Sequence, residues 1–467
     1  MGTFSKSLFA NVFNVTISTL TGLLIPKLMG ATQYGYWQLY VLYVTYVPYF
    51  HFGWVDGIYL REGGIDYNDL DKPKLHTQFW MYCIFDLAVS LGILSLGFAF
   101  VGGERHIMML AALDGIILLP RLFFQYLLQA TGRVEVYAHN LVLERILCAI
   151  TQILFLVLGF RSYGAMILSD LFAKVVTLVC ILVNCKDIIH AQGCRMHDAL
   201  RETREDFRVG IKLTFATVSG MLLIGIIQFM IERQWSIEIF GMVSFALVCF
   251  QGILSFINQV SVVLFPLLKT SEPGHYPLVF RQTGCYITSL CTFALMAFFP
   301  ISLLLGSLVP EYSMGIMFLG MLMPMILFEG RNTLLLNTFL KTLRKEKVLL
   351  VVNIIMLGLT VMVSYLFVFL LKDLKLVMLG ILFLLALRCL LADIMVHTYL
   401  GLKDYREFGL SLVTTMVFLC SCCVLTDGKG IVLYACYFLA YYAIRRKDYR
   451  EAYAFLHGNG KEKPPQD

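Results

Sequence analysis

The chain has 467 residues, of which 59% are hydrophobic and 15% are charged, whereas about 25% of the residues in a typical soluble domain are charged. Its mean hydropathy is +0.77, which excludes an ordinary water-soluble globular protein. The net charge of +6 lies mostly between apolar segments. It is typical of a surface that faces anionic lipid headgroups and is no indication of nucleic-acid binding.

Apolar segments of about 20 residues, long enough to cross the hydrocarbon core as helices, recur along the whole chain. We therefore predict an all-α integral membrane protein with about 14 transmembrane helices. The predicted crossings are 7–30, 34–57, 77–101, 107–130, 140–160, 165–185, 210–231, 239–264, 279–305, 313–340, 348–371, 376–401, 409–426 and 431–444.

The Lys and Arg residues between these crossings predict the orientation of the chain. With the N-terminus inside, the cytoplasmic segments hold roughly four times as many Lys and Arg residues as the outer loops, as the positive-inside rule requires. We expect a multi-pass protein of the inner membrane with both termini in the cytoplasm. The outer loops are too short to build an extramembrane active site.

Three matches suggest an internal repeat that relates each helix to the sixth helix after it. Tyr34-Gly35 and Phe240-Gly241 are 206 residues apart, and Arg121 and Arg331 are 210 residues apart. The third match relates the Thr131 and Thr342 segments at an offset of 211. Since six crossings restore the same orientation, the matches predict two parallel six-helix lobes and a C-terminal helix pair. Polar stripes on helices 1, 7 and 8 predict that these surround a central hydrated cavity.

The repeat divides the chain into four predicted parts. These are an N-lobe (1–206, helices 1–6), a C-lobe (207–405, helices 7–12), the helix pair 13–14 (406–446) and a disordered cytoplasmic tail (447–467). The charged loop 186–209 is expected to hold a short surface helix.

Ionisable groups inside the predicted crossings are candidate functional residues, because each costs about 2.5 to 3.5 kcal/mol at the bilayer centre. Asp170 and Lys174 are expected to pair at i,i+4, and Asp114 and Arg121 lie two turns apart on one helix. Some cations near helix ends have a second interpretation, since they can extend to the headgroups. The predicted substrate-binding cations are Lys27, Arg121, Lys212, Arg233, Arg331 and Arg388.

Polar and aromatic side chains mark the faces that lipid should not contact. Helix 1 carries polar groups at steps of three and four residues, and helix 2 carries tyrosines whose rings can stack on sugars, although core packing also explains them. Three carboxylates, Asp86, Glu144 and Asp170, are candidates for coupling to a proton or sodium ion. The predicted cavity residues are Asn11, Asn14, Ser18, Tyr40, Tyr43, Gln251 and Asn258.

Motifs of catalysis and cofactor binding are not found in the sequence. It contains no phosphate-binding loop, no zinc-ligand helix and no nucleophile elbow. Cys420, Cys422 and Cys423 point around one helix rather than toward one metal. We therefore expect neither a cofactor nor a catalytic or metal site.

The sequence resembles the polysaccharide-exporter (Wzx-like) flippases of the multidrug/oligosaccharidyl-lipid/polysaccharide exporter superfamily. The resemblance is carried by Pro26-Lys27-Leu28-Met29-Gly30 leading into Tyr34-Gly35-Tyr36-Trp37, by Phe52-Gly53-Trp54-Val55-Asp56-Gly57 ending at Arg61, and by Gln129-Ala130-Thr131-Gly132-Arg133. It covers the whole chain in helix number, and its motifs are specific at the level of the superfamily.

The resemblance implies a two-lobed bundle that opens alternately to each side and a polyprenyl-diphosphate-linked oligosaccharide as substrate. It also implies polysaccharide polymerase or ligase proteins as partners, and a lipid-tail groove at helices 13 and 14. Buried Arg and Lys residues suit a diphosphate, which needs charge-assisted partners away from water. Three alternatives stay open: a drug/cation antiporter of the same superfamily, a lipid II flippase, and a membrane glycan polymerase, ligase or glycosyltransferase.

Overall fold

The computed structural model of the protein describes residues 21–22, 24–98, 103–270, 276–343, 345–425 and 428–449. Only the backbone is described at 103, 258–270 and 346. Within these ranges every regular element is helical, which confirms the all-α class. The helices fall into two compact units, Met1–Ser244 and Phe245–Asp467. The lobe boundary at 206 and the separate helix pair remain predictions.

The first unit contains residues 24–29 as a helix end and then seven helices and the start of an eighth. A 3-10 turn, Val47–His51, separates α1 from α2. The helices are α1 (Ala31–Tyr46), α2 (Trp54–Arg61), α3 (Lys72–Gly97), α4 (Gly103–Ala130), α5 (Val134–Val157), α6 (Tyr163–Asn184), α7 (Met196–Gln234) and α8 (Ile237–Thr270).

The second unit contains the continuation of α8 and nine further helices. A π-helical segment, Asn332–Leu336, joins α12 to α13. The helices are α9 (Tyr276–Met296), α10 (Phe298–Leu308), α11 (Ser313–Leu322), α12 (Met325–Arg331), α13 (Asn337–Thr342), α14 (Glu346–Tyr365), α15 (Leu374–Leu400), α16 (Arg406–Leu419) and α17 (Lys429–Ile444).

Ten helices of the described chain are long and apolar enough to cross a membrane, and α11 to α13 add an eleventh if the bent pair Pro310–Leu322 and Met325–Thr342 is one span. The predicted second crossing is interrupted by the 3-10 turn, and the fourteenth is the 16-residue helix α17. The predicted first crossing lies mostly outside the described residues. Ile84 and Val157 are 72% and 78% exposed on outer helix faces, which suits contact with lipid rather than water.

Helix ends follow signals that the sequence carries. The Asp71 carboxylate accepts from the Lys74 amide at 3.3 Å at the start of α3, and the Ser162 hydroxyl accepts from the Ala165 amide at 3.3 Å at the start of α6. Gly401 adopts a left-handed φ of +68° where α15 ends. These N-caps and the glycine C-cap satisfy backbone groups that the helix itself leaves unpaired.

The charged segment 186–209 differs from its prediction. It contains a single helical turn, Lys186–Ile189, and from Met196 onward it belongs to α7, which runs 39 residues without a break. No proline interrupts that stretch, so the helix of the following crossing continues into the charged sequence. Residues 447–449, at the start of the predicted disordered tail, are helical, and 450–467 lie outside the described residues.

Candidate functional site

Two of the predicted cations are exposed. Lys27 and Lys212 both present their side chains at the surface, and no carboxylate of the described residues lies within 4.0 Å of either ammonium group. Arg233 is half exposed, and its guanidinium lies 3.5 Å from the carboxylates of both Glu104 and Glu232. Lys27 and Lys212 thus keep charge available for an anion.

The other three predicted cations are buried in ion pairs. Arg121 contacts the Glu144 carboxylate at 2.7 Å and donates to the Thr177 hydroxyl at 2.9 Å. In the second unit, Arg331 contacts Asp393 at 2.8 Å, and Arg388 contacts Glu329 at 3.3 Å and the Asn353 side-chain oxygen at 3.1 Å. Their role as substrate ligands stays a prediction, and each guanidinium already contacts one carboxylate.

Asp114 does not pair with Arg121 as predicted. Its carboxylate accepts from Lys174 at 2.7 Å, and Arg121 contacts Glu144 instead. Two turns along one helix are about 11 Å, too far for direct contact, whereas α6 brings Lys174 directly against α4. The pairing of Asp170 with Lys174, also at 2.7 Å, is confirmed.

Asp114, Asp170, Lys174 and Tyr40 form one cluster, which we call the shared-lysine cluster. The Tyr40 hydroxyl lies 3.2 Å from Asp114 Oδ1 and 2.9 Å from Asp170 Oδ2. Asp114 is fully buried, and its Oδ2 atom has no hydrogen-bond partner among the described residues. The side chain of Asp170 is 17% exposed, so one edge of the cluster is accessible.

With both carboxylates ionised, the cluster lacks one hydrogen-bond donor for the contacts that Tyr40 and Lys174 make. A tyrosine hydroxyl carries one hydrogen and an ammonium group carries three, while a carboxylate only accepts. Tyr40 therefore donates to one carboxylate and places its oxygen lone pairs opposite the other. A proton on either Asp114 or Asp170 provides the missing donor and makes the cluster neutral, so the geometry fits a group that holds one exchangeable proton.

The remaining predicted coupling carboxylates have different surroundings. Asp86 is buried, and its carboxylate accepts from the Ser90 hydroxyl at 3.3 Å. Glu144 is neutralised one-to-one by Arg121. Of the three candidates, Asp170 alone shares one lysine with a second carboxylate.

The predicted cavity residues separate into described and undescribed ones. Tyr40 belongs to the shared-lysine cluster, and the ring of Tyr43 stacks on Phe229 with centroids 5.9 Å apart. Gln251 is exposed on α8. Asn11, Asn14 and Ser18, and the side chain of Asn258, lie outside the described residues.

An apolar pocket of about 350 Å³ lies between the end of α1 and α7. Aromatic rings from both sides form its walls, and Ile211 of α7, which precedes Lys212 in the chain, contributes to them. This pocket was not predicted, although the four aromatic residues within 46–52 mark one of its walls in the sequence. The lining residues used here are Tyr46, Tyr49, Phe52, Ile211, Phe215 and Phe229.

Two glycines, one in α2 and one just before it, let the chain pack closely on α7 beside this pocket. Gly53 and Gly57, in the motif that ends at Arg61, pack directly on the backbone of α7 at Gly210 and Asp206, where an added β-carbon would overlap backbone atoms. The Arg61 guanidinium bonds the carboxylates of Glu202 and Asp206 at the same contact. The motif thus serves a close approach of two helices.

A second close approach lies at the opposite end of α1. A β-carbon added at Gly241 would stand 2.9 Å from the Gly35 Cα, and the Thr32 hydroxyl donates to Glu238 at 2.8 Å. The sequence analysis related Gly35 and Gly241 as repeat equivalents, and in the structure they contact each other. The two glycine contacts bracket the apolar pocket.

These features define a class of protein: a multi-pass helical membrane protein with an apolar pocket, exposed lysines and a buried cluster of two carboxylates around one lysine. No protein-family model matches the chain, and no curated protein matches it by sequence. Solved structures do match. The lipid II flippase MurJ in an inward closed conformation is similar with a TM-score of 0.68 at 11% identity, covering 94% of this chain and 98% of that one.

Two further structures of the MOP superfamily are similar. A multidrug resistance MATE family transporter in an inward-facing conformation gives a TM-score of 0.59 at 13% identity, covering 85% of this chain and 94% of that one. A MOP superfamily transporter from Pyrococcus furiosus, described as having a binding pocket of reversed polarity, gives 0.53 at 14% identity, covering 84% and 94%. The chain has the fold of these transporters.

Proposed function

We propose that the protein is a flippase that moves a polyprenyl-diphosphate-linked oligosaccharide from the cytoplasmic to the outer face of the inner membrane by alternating access. Its product would enter the synthesis of a surface polysaccharide, such as O-antigen, capsule or exopolysaccharide, and pass to polymerase or ligase proteins. The protein would act as a transporter and not as an enzyme. The fold shared with the solved transporters supports the class, and the site supports the substrate.

The observation that carries the substrate is the apolar pocket on α7, whose lining residue Ile211 precedes the exposed Lys212 in the chain. A lipid-linked sugar joins a long apolar chain to a diphosphate, so its binding site needs apolar walls next to an unneutralised cation. The pocket offers aromatic walls, and Lys212 follows Ile211 of its lining with no carboxylate of the described residues near it. A cationic drug would gain nothing from this lysine.

The test is a matched pair of substitutions on α7. We expect Lys212→Gln to lower export of the lipid-linked oligosaccharide about tenfold or more, because a hydrogen bond to a charged group contributes about 1.5 to 3 kcal/mol. Arg208→Gln removes the same charge one turn earlier, where the guanidinium already faces the Glu205 carboxylate at 3.8 Å, and should alter export less than twofold. The measurement is surface polysaccharide in a strain that depends on the plasmid copy, with membrane protein levels matched by immunoblot.

Equal loss of export in both variants would contradict a local role of Lys212. Intact surface polysaccharide together with lost drug resistance would favour the drug/cation antiporter. Arrest of growth and of peptidoglycan synthesis when the protein is depleted would favour a lipid II flippase, because lipid II carries the same diphosphate group.

We propose that proton movement through the shared-lysine cluster drives the cycle. The cluster becomes neutral with one proton and negative without it, so it can couple a proton gradient to a change of conformation at Tyr40. Asp114→Asn places a fixed neutral amide there, and we expect export to continue at a reduced rate that no longer responds to a protonophore. Asp86→Asn is the matched control at another buried carboxylate, and loss of the protonophore response in that variant alone would refute coupling through the cluster.

A further inference from the structure

A second cavity, of about 70 Å³, lies in the second unit away from the apolar pocket, and it is lined by charged side chains. It is formed where α9 and α16 begin and where α12, α15 and α17 end. This volume is several times the roughly 10 to 15 Å³ that one water needs. Four arginines line it: Arg281, Arg331, Arg406 and Arg445.

The carboxylates that line this cavity are already engaged. Glu407 bonds both terminal nitrogens of Arg445. Asp448 contacts Arg445 at 3.4 Å and Arg406 at 3.3 Å, and Asp404 accepts from the backbone amide of Arg406 at 2.9 Å. Little acceptor capacity is left for the other two arginines.

Arg331 enters the cavity with unused hydrogen-bond donors. It is 2% exposed, and its Nη2 atom bonds Asp393 at 2.8 Å. Its Nε and Nη1 atoms are buried and have no partner among the described residues. Nη1 lies beside Gly284, where an added β-carbon would stand 3.4 Å from it. A buried guanidinium N–H without an acceptor is unfavourable, so a ligand that brings acceptor oxygens would be stabilised here.

The cavity also offers positive charge at its opening and one unused acceptor. Arg281 is exposed, and no described carboxylate lies within 4.0 Å of it. Both ring nitrogens of His397 lie 2.8 Å from backbone carbonyl oxygens, of Asp393 and Asp404. The Gln282 Oε1 atom is buried without a partner, and a protonated oxyanion can donate to it.

We propose that this cavity binds a phosphate group, between Arg331 on the inside and Arg281 at its opening. A tetrahedral oxyanion supplies acceptors to both guanidinium groups, which bind phosphate through directed, charge-assisted hydrogen bonds. The group can belong to an anionic phospholipid headgroup or to a soluble phosphate compound. The cavity is separate from the apolar pocket, and its binding test does not require transport of a lipid-linked sugar, although Arg331 is also one of the predicted substrate cations.

The experiment measures binding by the purified full-length protein. In detergent micelles, inorganic phosphate should raise the thermal unfolding midpoint in a saturable manner. In nanodiscs, phosphatidylglycerol should do so relative to phosphatidylcholine if the source is a headgroup. A response to phosphate alone identifies a soluble ligand, and a response to phosphatidylglycerol alone identifies a lipid; both support the site.

Three variants locate the effect. Arg281→Gln, at the exposed opening, should weaken the response about tenfold, and Gly284→Ala should weaken it by placing a methyl group beside Arg331 Nη1 at ordinary contact distance. Lys403→Gln makes the same change of charge outside the lining and should leave the response unchanged. No response to either probe, or equal responses in wild type, Arg281→Gln and Gly284→Ala, would overturn the proposal, whatever the outcome of the transport assays.

Discussion

At the scale of single residues, Lys174 holds together charges from two helices. Its ammonium group contacts Asp114 of α4 and Asp170 of α6, both at 2.7 Å. Removing one partner of a buried ion pair leaves an uncompensated charge, which typically costs 3 to 5 kcal/mol. The lysine therefore stabilises the cluster by neutralising one of its two carboxylates.

Replacing Lys174 should expose this dependence. We expect Lys174→Met to lower the free energy of unfolding by about 3 kcal/mol or more, because two carboxylates then face each other without a cation. Adding Asp114→Asn to Lys174→Met should recover part of the loss, since one negative charge is removed. Thermal unfolding in micelles measures both effects, and a double variant less stable than Lys174→Met would contradict the charge argument.

The sequence predicted part of this cluster. Asp170 and Lys174 are four residues apart on one helix, so helical geometry alone places them in contact. Asp114 is 60 residues from Lys174, and no local pattern reports which of two nearby cations it meets. The choice between Arg121 and Lys174 depends on how α4 and α6 pack, which a single sequence does not specify.

At the scale of helices, the contact of α2 with α7 depends on the absence of side chains. Gly53, Gly57 and Gly210 let the two backbones meet, and Arg61 bonds Glu202 and Asp206 beside them. From the sequence alone this motif indicated only a resemblance to a family, and its packing role was not predicted. The reason became visible only when the partner helix was known, because the glycines lie more than 150 residues apart in the chain.

A methyl group at this contact should separate the helices. We expect Gly210→Ala to destabilise the protein by about 1 to 3 kcal/mol, as overpacking does, since the new β-carbon would overlap the backbone of Gly53 and Gly57. Gly92→Ala, in α3, meets nothing within 4 Å and should be neutral or stabilising by up to about 1 kcal/mol from helix propensity. Equal unfolding midpoints for both variants would refute close packing at Gly210.

At the scale of the whole molecule, the helical membrane architecture was predictable because hydrophobic length is a local property. Segments of about 20 apolar residues identify crossings wherever they pack. The interruption near Val47 and the long extension of α7 were not predicted, since hydropathy reports apolar length and not helix continuity. The break within 322–325, which contains Pro324, bends one predicted crossing by 50°, as a proline inside a helix does.

Orientation is testable through two positions that the charge pattern places on opposite sides. Cysteine at Lys375, in the exposed first turn of α15, should react with a membrane-impermeant maleimide added to intact spheroplasts. Cysteine at Lys403, in the connection after α15, should react only after the cells are lysed. Both assays use a variant whose 13 native cysteines are replaced by serine or alanine and whose export activity is retained. Labelling in the reverse order would refute cytoplasmic termini.

The unbroken length of α7 has a mechanical consequence. A 39-residue helix is about 58 Å long at 1.5 Å per residue, nearly twice the thickness of the hydrocarbon core. Its early turns touch α2 at Gly210, and the short connection at its far end leads into α8, which touches α1 at Gly241. Because the helix is stiff, a tilt of α7 about its middle would move its α2 contact and its connection to α8 in opposite directions. For the alternating access proposed above, this coupling would let one side close as the other opens without any side chain acting as a latch.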